Sequence, residues 1–348
     1  MHISRIEPDW AKNPIRGWRR LVPMTRDLGI AIDLGATRMR VCIGTKSGRI
    51  LRRKSGKMVL TKGVEDYLSQ ITGMTKEIVK DLGGKDVQGI CVASPGPLDL
   101  KRGSIVHTAN LPYPEVKVVE ALEESFGTEV RLVNDANAGA LGEWLWGAGK
   151  GHGNVSYVTM STGIGGGAVV DGRLLLGKQG NAAEVGHMTI DSSGRMKCGC
   201  GRRGHWEAYC SGSGIPRFTR WLADELGRKR EHRFAKSPLL RREGPSDAAA
   251  VFREAEGGDL LASEVLKEVG RLNAIGVANV TDAFDPEIVT VGGGVALNNP
   301  DAVLTPIRSL VGDYAINSTP DIMVTKLGDD VGLMGALSAS FNPELIMR

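Results

Sequence analysis

The chain has 348 residues, 41% hydrophobic and 24% charged, with 44 Lys and Arg against 40 Asp and Glu. That length supports two packed cores, and that mixture excludes a disordered or fibrous chain. A net charge of +4 over the whole chain, with no apolar run near the roughly 18 residues of a spanning helix, predicts neither nucleic acid nor membrane as a partner. Residues 1–26 carry Trp10, Pro14, Trp18 and Pro23 but no apolar middle of a signal peptide, so a cytoplasmic protein is expected. This segment reads either as a tail or as an arm whose Trp10 and Trp18 pack on the body or on another subunit. From Leu28, LGIAIDL, MRVCIG and ILRRKS read as three antiparallel strands joined by hairpins. VEDYLSQITGMTKEIVKDL has helical apolar spacing and stops at Gly83 and Gly84. VQGICVA and EVRLVN read as central strands separated by an irregular SPGPLDLKRGSIVHTANLPYPE, and ANAGALGEWLW reads as a helix. Three strands followed by alternating helix and strand predict a mixed α/β sheet.

The second half repeats the opening. VSYVTM, the glycine turn STGIGGG, GGAVV and VDGRLLLG parallel AIDLGATRMRVCIG, and two copies of one unit imply two similar domains. After an irregular stretch from about 177 to 214 come the helical FTRWLADELG, SDAAAVFREAEGG and LLASEVLKEVGRLNAIGVANVTDAF. EIVTVGGG is again a strand with a glycine turn, and GLMGALSASF a closing helix. The basic 227–243 stretch reads as a solvated loop.

Glycine, at 47 residues, is roughly twice its usual share of about 7% and clusters in turns after strands. Three of these, at Asp33, Gly35 and Thr37, at Thr162 and Gly163, and at Gly293 and Gly294, offer backbone N–H groups as anion nests. Asp33, ending a buried strand, must be paired or hold a cation, and beside a phosphate it suits Mg2+ or its water shell. No P-loop and no dinucleotide fingerprint is present. Asn134 and Asp135 lie where a strand gives way to a helix. Asp135 there is either a general base projecting into a cleft or the N-cap of helix 136–147. His187, Cys198, Cys200 and His205 form a zinc pattern, and four protein ligands make a closed, structural site. Glu184 and Glu207 flank them, as sugar-binding carboxylates or as surface glutamates. Cys42 and Cys91, in apolar strand-like runs, read as buried thiols.

Together AIDLGATRMR, SPGPLD, NLPY, LVNDANAGALGE, STGIGGG, AAEVGHM, CGCGRRGHWEAYCSG and TVGGGVA resemble, in order and from about 28 to 340, the ROK family of sugar kinases in the actin-like ATPase superfamily. The resemblance implies a two-domain actin-like (ribonuclease H-like) α/β fold with an interdomain cleft. Residues 27–148 with helix 332–346 would form the first domain and 149–331 the second, with the zinc and sugar loop; 1–26 would be an extension too short for the family repressors' helix-turn-helix domain. It implies Asp135 as catalytic base, Asn110, Asn134, Glu184, His187 and Glu207 at the sugar, and His187, Cys198 and Cys200 at zinc. His205 stands where the family usually has Cys, which predicts a Cys2His2 site. ATP would lie between the domains with its phosphates on the glycine turns. The expected activity is ATP-dependent phosphorylation of a hexose primary hydroxyl, glucose first, with an N-acetylmannosamine or N-acetylglucosamine kinase as the alternative. A non-catalytic sugar-sensing regulator is the reading from another class. A homodimer or homotetramer is expected from the family.

Overall fold

A computed structural model describes residues 28–35, 38–80, 87–107, 111–228, 232–240 and 247–346. The preamble with Trp10 and Trp18, and the site residues Thr37 and Asn110, lie outside the described residues. In the first half, β1 (Leu28–Leu34), β2 (Arg38–Thr45) and β3 (Ile50–Lys57) form the antiparallel meander expected from sequence. Then come α1 (Val64–Val79), β4 (Val87–Ser94), β5 (Leu98–Asp99), β6 (Ser104–Val106), β7 (Glu115–Val116), α2 (Val118–Phe126), β8 (Val130–Asn134) and α3 (Asp135–Trp146). The second half runs β9 (Val155–Met160), β10 (Ile164–Val170), β11 (Arg173–Leu174), α4 (Glu207–Cys210), α5 (Gly214–Arg228), α6 (Ala248–Glu256) and α7 (Leu260–Phe284). It closes with β12 (Ile288–Gly292), α8 (Gly293–Asn298), α9 (Pro300–Leu310), β13 (Asp321–Val324) and α10 (Val331–Phe341).

The repeat read in the sequence is present as topology. One five-stranded sheet has the order β3-β2-β1-β4-β8 and the other β11-β10-β9-β12-β13. In each, the first three strands are antiparallel and the last two join parallel to the first. Strands β1, β4 and β12 are almost wholly buried, as parallel strands covered on both faces must be, hence their continuous apolar runs. The edge strand β3 instead exposes Arg52, Arg53 and Lys54, charges that discourage pairing with another chain.

Two stretches in particular differ from the sequence reading. The stretch after β4, taken as irregular, contains the small β5-β6-β7 sheet and leads into α2; its strands are too short for a period-two pattern to register. The basic segment is also not simply a solvated loop. Phe234 and Leu239 are buried in the core of the second half, so apolar anchors hold the described part of that segment against the body.

Helices α3 and α10 cross between the sheets, and α10 returns from the end of the chain to pack on β1 and β4. Small residues make this possible. A Cβ at Gly335 would lie 1.7 Å from the carbonyl oxygen of Ala138, so the two helix backbones approach more closely than any side chain permits. In open α/β sheets a ligand usually sits in the crevice beyond the C-terminal ends of the parallel strands, here those of β1, β4 and β8 in one sheet and of β9 and β12 in the other.

Candidate active site

Asn134 ends β8 and caps α3, its Oδ1 accepting from the amides of Ala136 at 3.0 Å and Asn137 at 3.2 Å. The N-cap reading of Asp135 is thereby corrected: the cap is Asn134, and Asp135 is the first residue of the helix. Its Oδ1 accepts from the Ala136 amide at 2.8 Å, and no cation pairs with it among the described residues. Burial, then the negative charges of Asp33 and Glu184, push its carboxyl up from 3.8 to about 7. A carboxylate so placed holds a proton well near neutral pH, the property a general base needs.

Asp33 at the end of β1 is buried and paired with Arg40 of β2, whose Nε donates to Oδ2 at 2.9 Å while Nη2 donates to the same oxygen. Burial outweighs the guanidinium, and the Asp33 carboxyl is raised from its ordinary value. The following turn is closed by the Gly35 amide donating to the Arg38 carbonyl at 2.7 Å.

The second glycine turn joins β9 to β10. Its carbonyls are occupied: Ser161 accepts from the Gly212 amide at 2.7 Å, and Thr162 from the Ser213 hydroxyl at 2.8 Å. The Ser161 amide donates to the Gly163 carbonyl at 2.8 Å and the Ile164 amide to Glu207, so what this turn has left to offer an anion is the N–H groups of Thr162 and Gly163. The third turn is tighter than a loop. Gly293, at φ +82°, opens α8 directly, and a Cβ there would lie 2.5 Å from the Met160 carbonyl, so only glycine fits where β12 meets the end of β9.

Beyond the end of β4 the structure draws several of the expected residues together. A Cβ on Gly96 would lie 3.5 Å from Asn134 Nδ2 and 3.6 Å from Glu184 Oε1, so those two side chains face one small space. Asn181, not singled out in the sequence, borders it at 3.4 Å. Its amide exchanges hydrogen bonds of 3.0 Å with both backbone groups of Leu98, tying the second half to the β5 segment of the first. Only its place in an irregular, glycine-rich stretch could have drawn attention to it. Glu184 Oε2 lies 4.0 Å from His187 Nε2, and burial, opposed by His187 and reinforced by Glu207, raises the Glu184 carboxyl above its usual range. Glu207 occupies a junction: Oε2 accepts from the Ile164 amide at 3.0 Å, and Oε1 accepts from the Cys198 thiol at 3.4 Å. One carboxylate thus joins the second glycine turn to the cysteine loop.

His187, Cys198, Cys200 and His205 offer ligand atoms that all lie within 4.8 Å of one another. A tetrahedral ion with Zn–N of about 2.05 Å and Zn–S of about 2.3 Å requires edges of about 3.3 Å between nitrogens and about 3.6 Å between nitrogen and sulfur. The two Nδ1 atoms lie 3.3 Å apart, Cys198 Sγ lies 3.7 Å from His187 Nδ1, and Cys200 Sγ lies 3.3 Å from His205 Nδ1. The donor set and its spacing fit zinc. Cys42 and Cys91 are buried free thiols, as expected.

The sequence from 29 to 340 matches the model of the ROK family. The chain belongs to the ROK family. It is 39% identical over 320 residues to a glucokinase of Aeropyrum pernix, covering 90% of this chain and 97% of that one. The ROK hexokinase of Thermus thermophilus superposes with a TM-score of 0.76 at 31% identity, covering 90% of this chain and 98% of that structure. A ROK glucokinase from Streptomyces griseus, solved with glucose and AMPPNP, gives 0.73 at 29% identity, covering 90% and 99%. This ROK chain has the two-domain actin-like architecture, and none of its described helices is long and apolar enough to cross a membrane.

Proposed function

We propose that this ROK chain transfers the γ-phosphoryl group of ATP to the primary (6-) hydroxyl of a hexose, glucose in the first place, with Asp135 as general base. It is a hexokinase of glucokinase type. The observation that carries the assignment of the base is the position of Asp135: first residue of α3, at the crevice between the sheets, with its proton affinity raised by burial and by Asp33 and Glu184. The attacking hydroxyl would donate to the Asp135 carboxylate, which takes its proton as the oxygen bonds to phosphorus and the bond to the leaving ADP oxygen breaks. Positioning and charge stabilisation supply most of the acceleration in such transfers.

Asn134, Glu184, His187 and Glu207, together with Asn110, would orient the sugar hydroxyls. The turns at Gly35 and Thr37, Thr162 and Gly163, and Gly293 and Gly294 would face the phosphates of Mg·ATP, with Asp33 beside the magnesium of that substrate. Zinc, held by His187, Cys198, Cys200 and His205, would brace the loop that carries Glu184 and Glu207, a structural role suited to four protein ligands. Closure of the two halves on sugar would exclude water as the competing acceptor. The domain division at 148/149, with 332–346 returned to the first domain, follows the same reading, as do a cytoplasmic location and a homodimer or homotetramer.

The test is ADP release by the purified protein with Mg·ATP against glucose, mannose, fructose, glucosamine, N-acetylglucosamine and N-acetylmannosamine, with Asp135→Ala alongside. Turnover on glucose, lost in the variant, supports the assignment. A folded, zinc-loaded protein silent on every sugar overturns it.

A further inference from the structure

Among the described residues, two segments carry the backbone between the sheets: residues 147–154, from α3 to β9, and residues 325–330, from β13 to α10. One side chain holds both. Glu143, on α3, is completely buried. Its Oε2 accepts from the Ala148 amide of the first crossover at 3.1 Å, and its Oε1 accepts from the Thr325 hydroxyl at the start of the second. The Thr325 oxygen in turn accepts from the Leu327 amide at 3.0 Å. The Glu143 carbonyl adds bonds from the amides of Gly147 at 3.0 Å and Gly149 at 3.1 Å. A continuous run of hydrogen bonds therefore links Ala148, Glu143, Thr325 and Leu327 across the junction.

A carboxylate in an apolar interior is costly unless its oxygens are satisfied, and an apolar residue of similar size is often the more stabilising choice. Here the oxygens are met by a hydroxyl and a backbone amide rather than by a cation, and burial raises the Glu143 carboxyl above its usual range despite both bonds. Stability alone does not account for this arrangement. Its geometry does something else: it ties the two crossovers to each other through a single side chain of α3. Asp135 lies two helical turns up the same helix, about 12 Å away along its axis. Two tryptophans share that helix and extend the tie. Trp144 Nε1 donates to the His152 carbonyl of the first crossover at 3.0 Å, and Trp146 Nε1 donates to Ser338 Oγ of α10 at 2.5 Å.

We propose that Glu143 and Thr325 are positioning residues that pin the two crossovers into one hinge, so that closure of the halves carries Asp135 onto the sugar hydroxyl along a single path. The inference rests on the hexose kinase reading only for its catalytic consequence; the clamp itself is a statement about the hinge.

The test compares wild type with Thr325→Val, which removes the hydroxyl at nearly constant volume, and Thr325→Ser, which restores it. Amide hydrogen exchange is followed over peptides covering 147–154 and 325–330, with and without glucose and AMPPNP, alongside kcat and KM for glucose. Thr325→Val should exchange about tenfold faster at both crossovers and lose about tenfold in kcat with KM altered as well, because hinge changes move both constants. Thr325→Ser should recover both properties. Exchange at either crossover equal to wild type in Thr325→Val overturns the clamp. Faster exchange with kcat and KM unchanged within about twofold overturns the positioning role and leaves a structural contact. If wild type phosphorylates no hexose, the kinase reading fails, and the exchange comparison still decides the clamp.

Discussion

Replacing Asp135 with Asn should move activity and stability in opposite directions. The amide is isosteric and can still accept from the Ala136 backbone, so the start of α3 is preserved. It cannot accept a proton, and loss of a positioned general base costs about 10²- to 10⁴-fold in kcat. The carboxyl of Asp135 is raised from 3.8 to about 7, so its charged form is disfavoured by folding. At about 1.36 kcal/mol per pKa unit, a shift of about 3 units sets an upper bound of about 4 kcal/mol. Partial access to solvent at the crevice lowers that to about 1–2 kcal/mol. The sign follows from linkage: the folded state binds the proton more tightly, so the penalty is absent below about pH 4 and complete above about pH 7. Asn mimics the protonated form and escapes the penalty. The variant should therefore melt higher than wild type at pH 8, with the difference shrinking toward pH 5. In wild type, kcat/KM for glucose should rise with pH through an apparent pKa near 7. A coupled glucose-6-phosphate dehydrogenase assay and melting curves from pH 5 to 9 measure both. An Asp135→Asn variant that keeps wild-type kcat, or that melts lower at pH 8, refutes the reasoning.

Three further outcomes are expected. Cys198→Ser, or treatment with a chelator, should remove about one zinc per chain by elemental analysis and lower the melting temperature by several degrees, since closed zinc sites contribute directly to folding; unchanged zinc content and melting would remove the site. Gly163→Ala would place a Cβ 2.4 Å from Glu207 Oε2 and displace the carboxylate that holds the Ile164 amide of the second glycine turn. KM should rise for both ATP and glucose, and an effect on neither substrate contradicts the junction. Gly335→Ala forces a methyl group to 1.7 Å from the Ala138 carbonyl. It should destabilise the protein by about 2 kcal/mol or more by separating α3 from α10, which chemical denaturation would measure; a neutral effect would disprove the close approach.

The strands were legible because parallel strands buried on both faces carry uninterrupted apolar runs, as in LGIAIDL and VQGICVA. The repeat was legible for the same reason, since the unit from β9 to β11 reproduces the hydropathy and glycine placement of that from β1 to β3. Helix α2 was missed because its nine residues follow short strands that leave no clear boundary. Helix α8 was read as a turn because its glycines mark a close approach to β9, which a sequence does not display.

By itself the sequence determined the local patterns: glycine turns after strands, an Asn-Asp pair at a strand end, and two Cys and two His clustered in one loop. These are properties of neighbouring residues, and short-range sterics and donor identity settle them. Tertiary structure alone decided which groups act together. Asn134 rather than Asp135 caps α3, and Asp135 has its proton affinity raised by burial and then by Asp33 and Glu184. Glu207 reaches both Ile164 and Cys198. Glu143 meets Thr325 across 182 positions of sequence. Burial and proximity between residues remote in the chain set these charges and contacts, and both arise only when the two sheets close on α3 and α10.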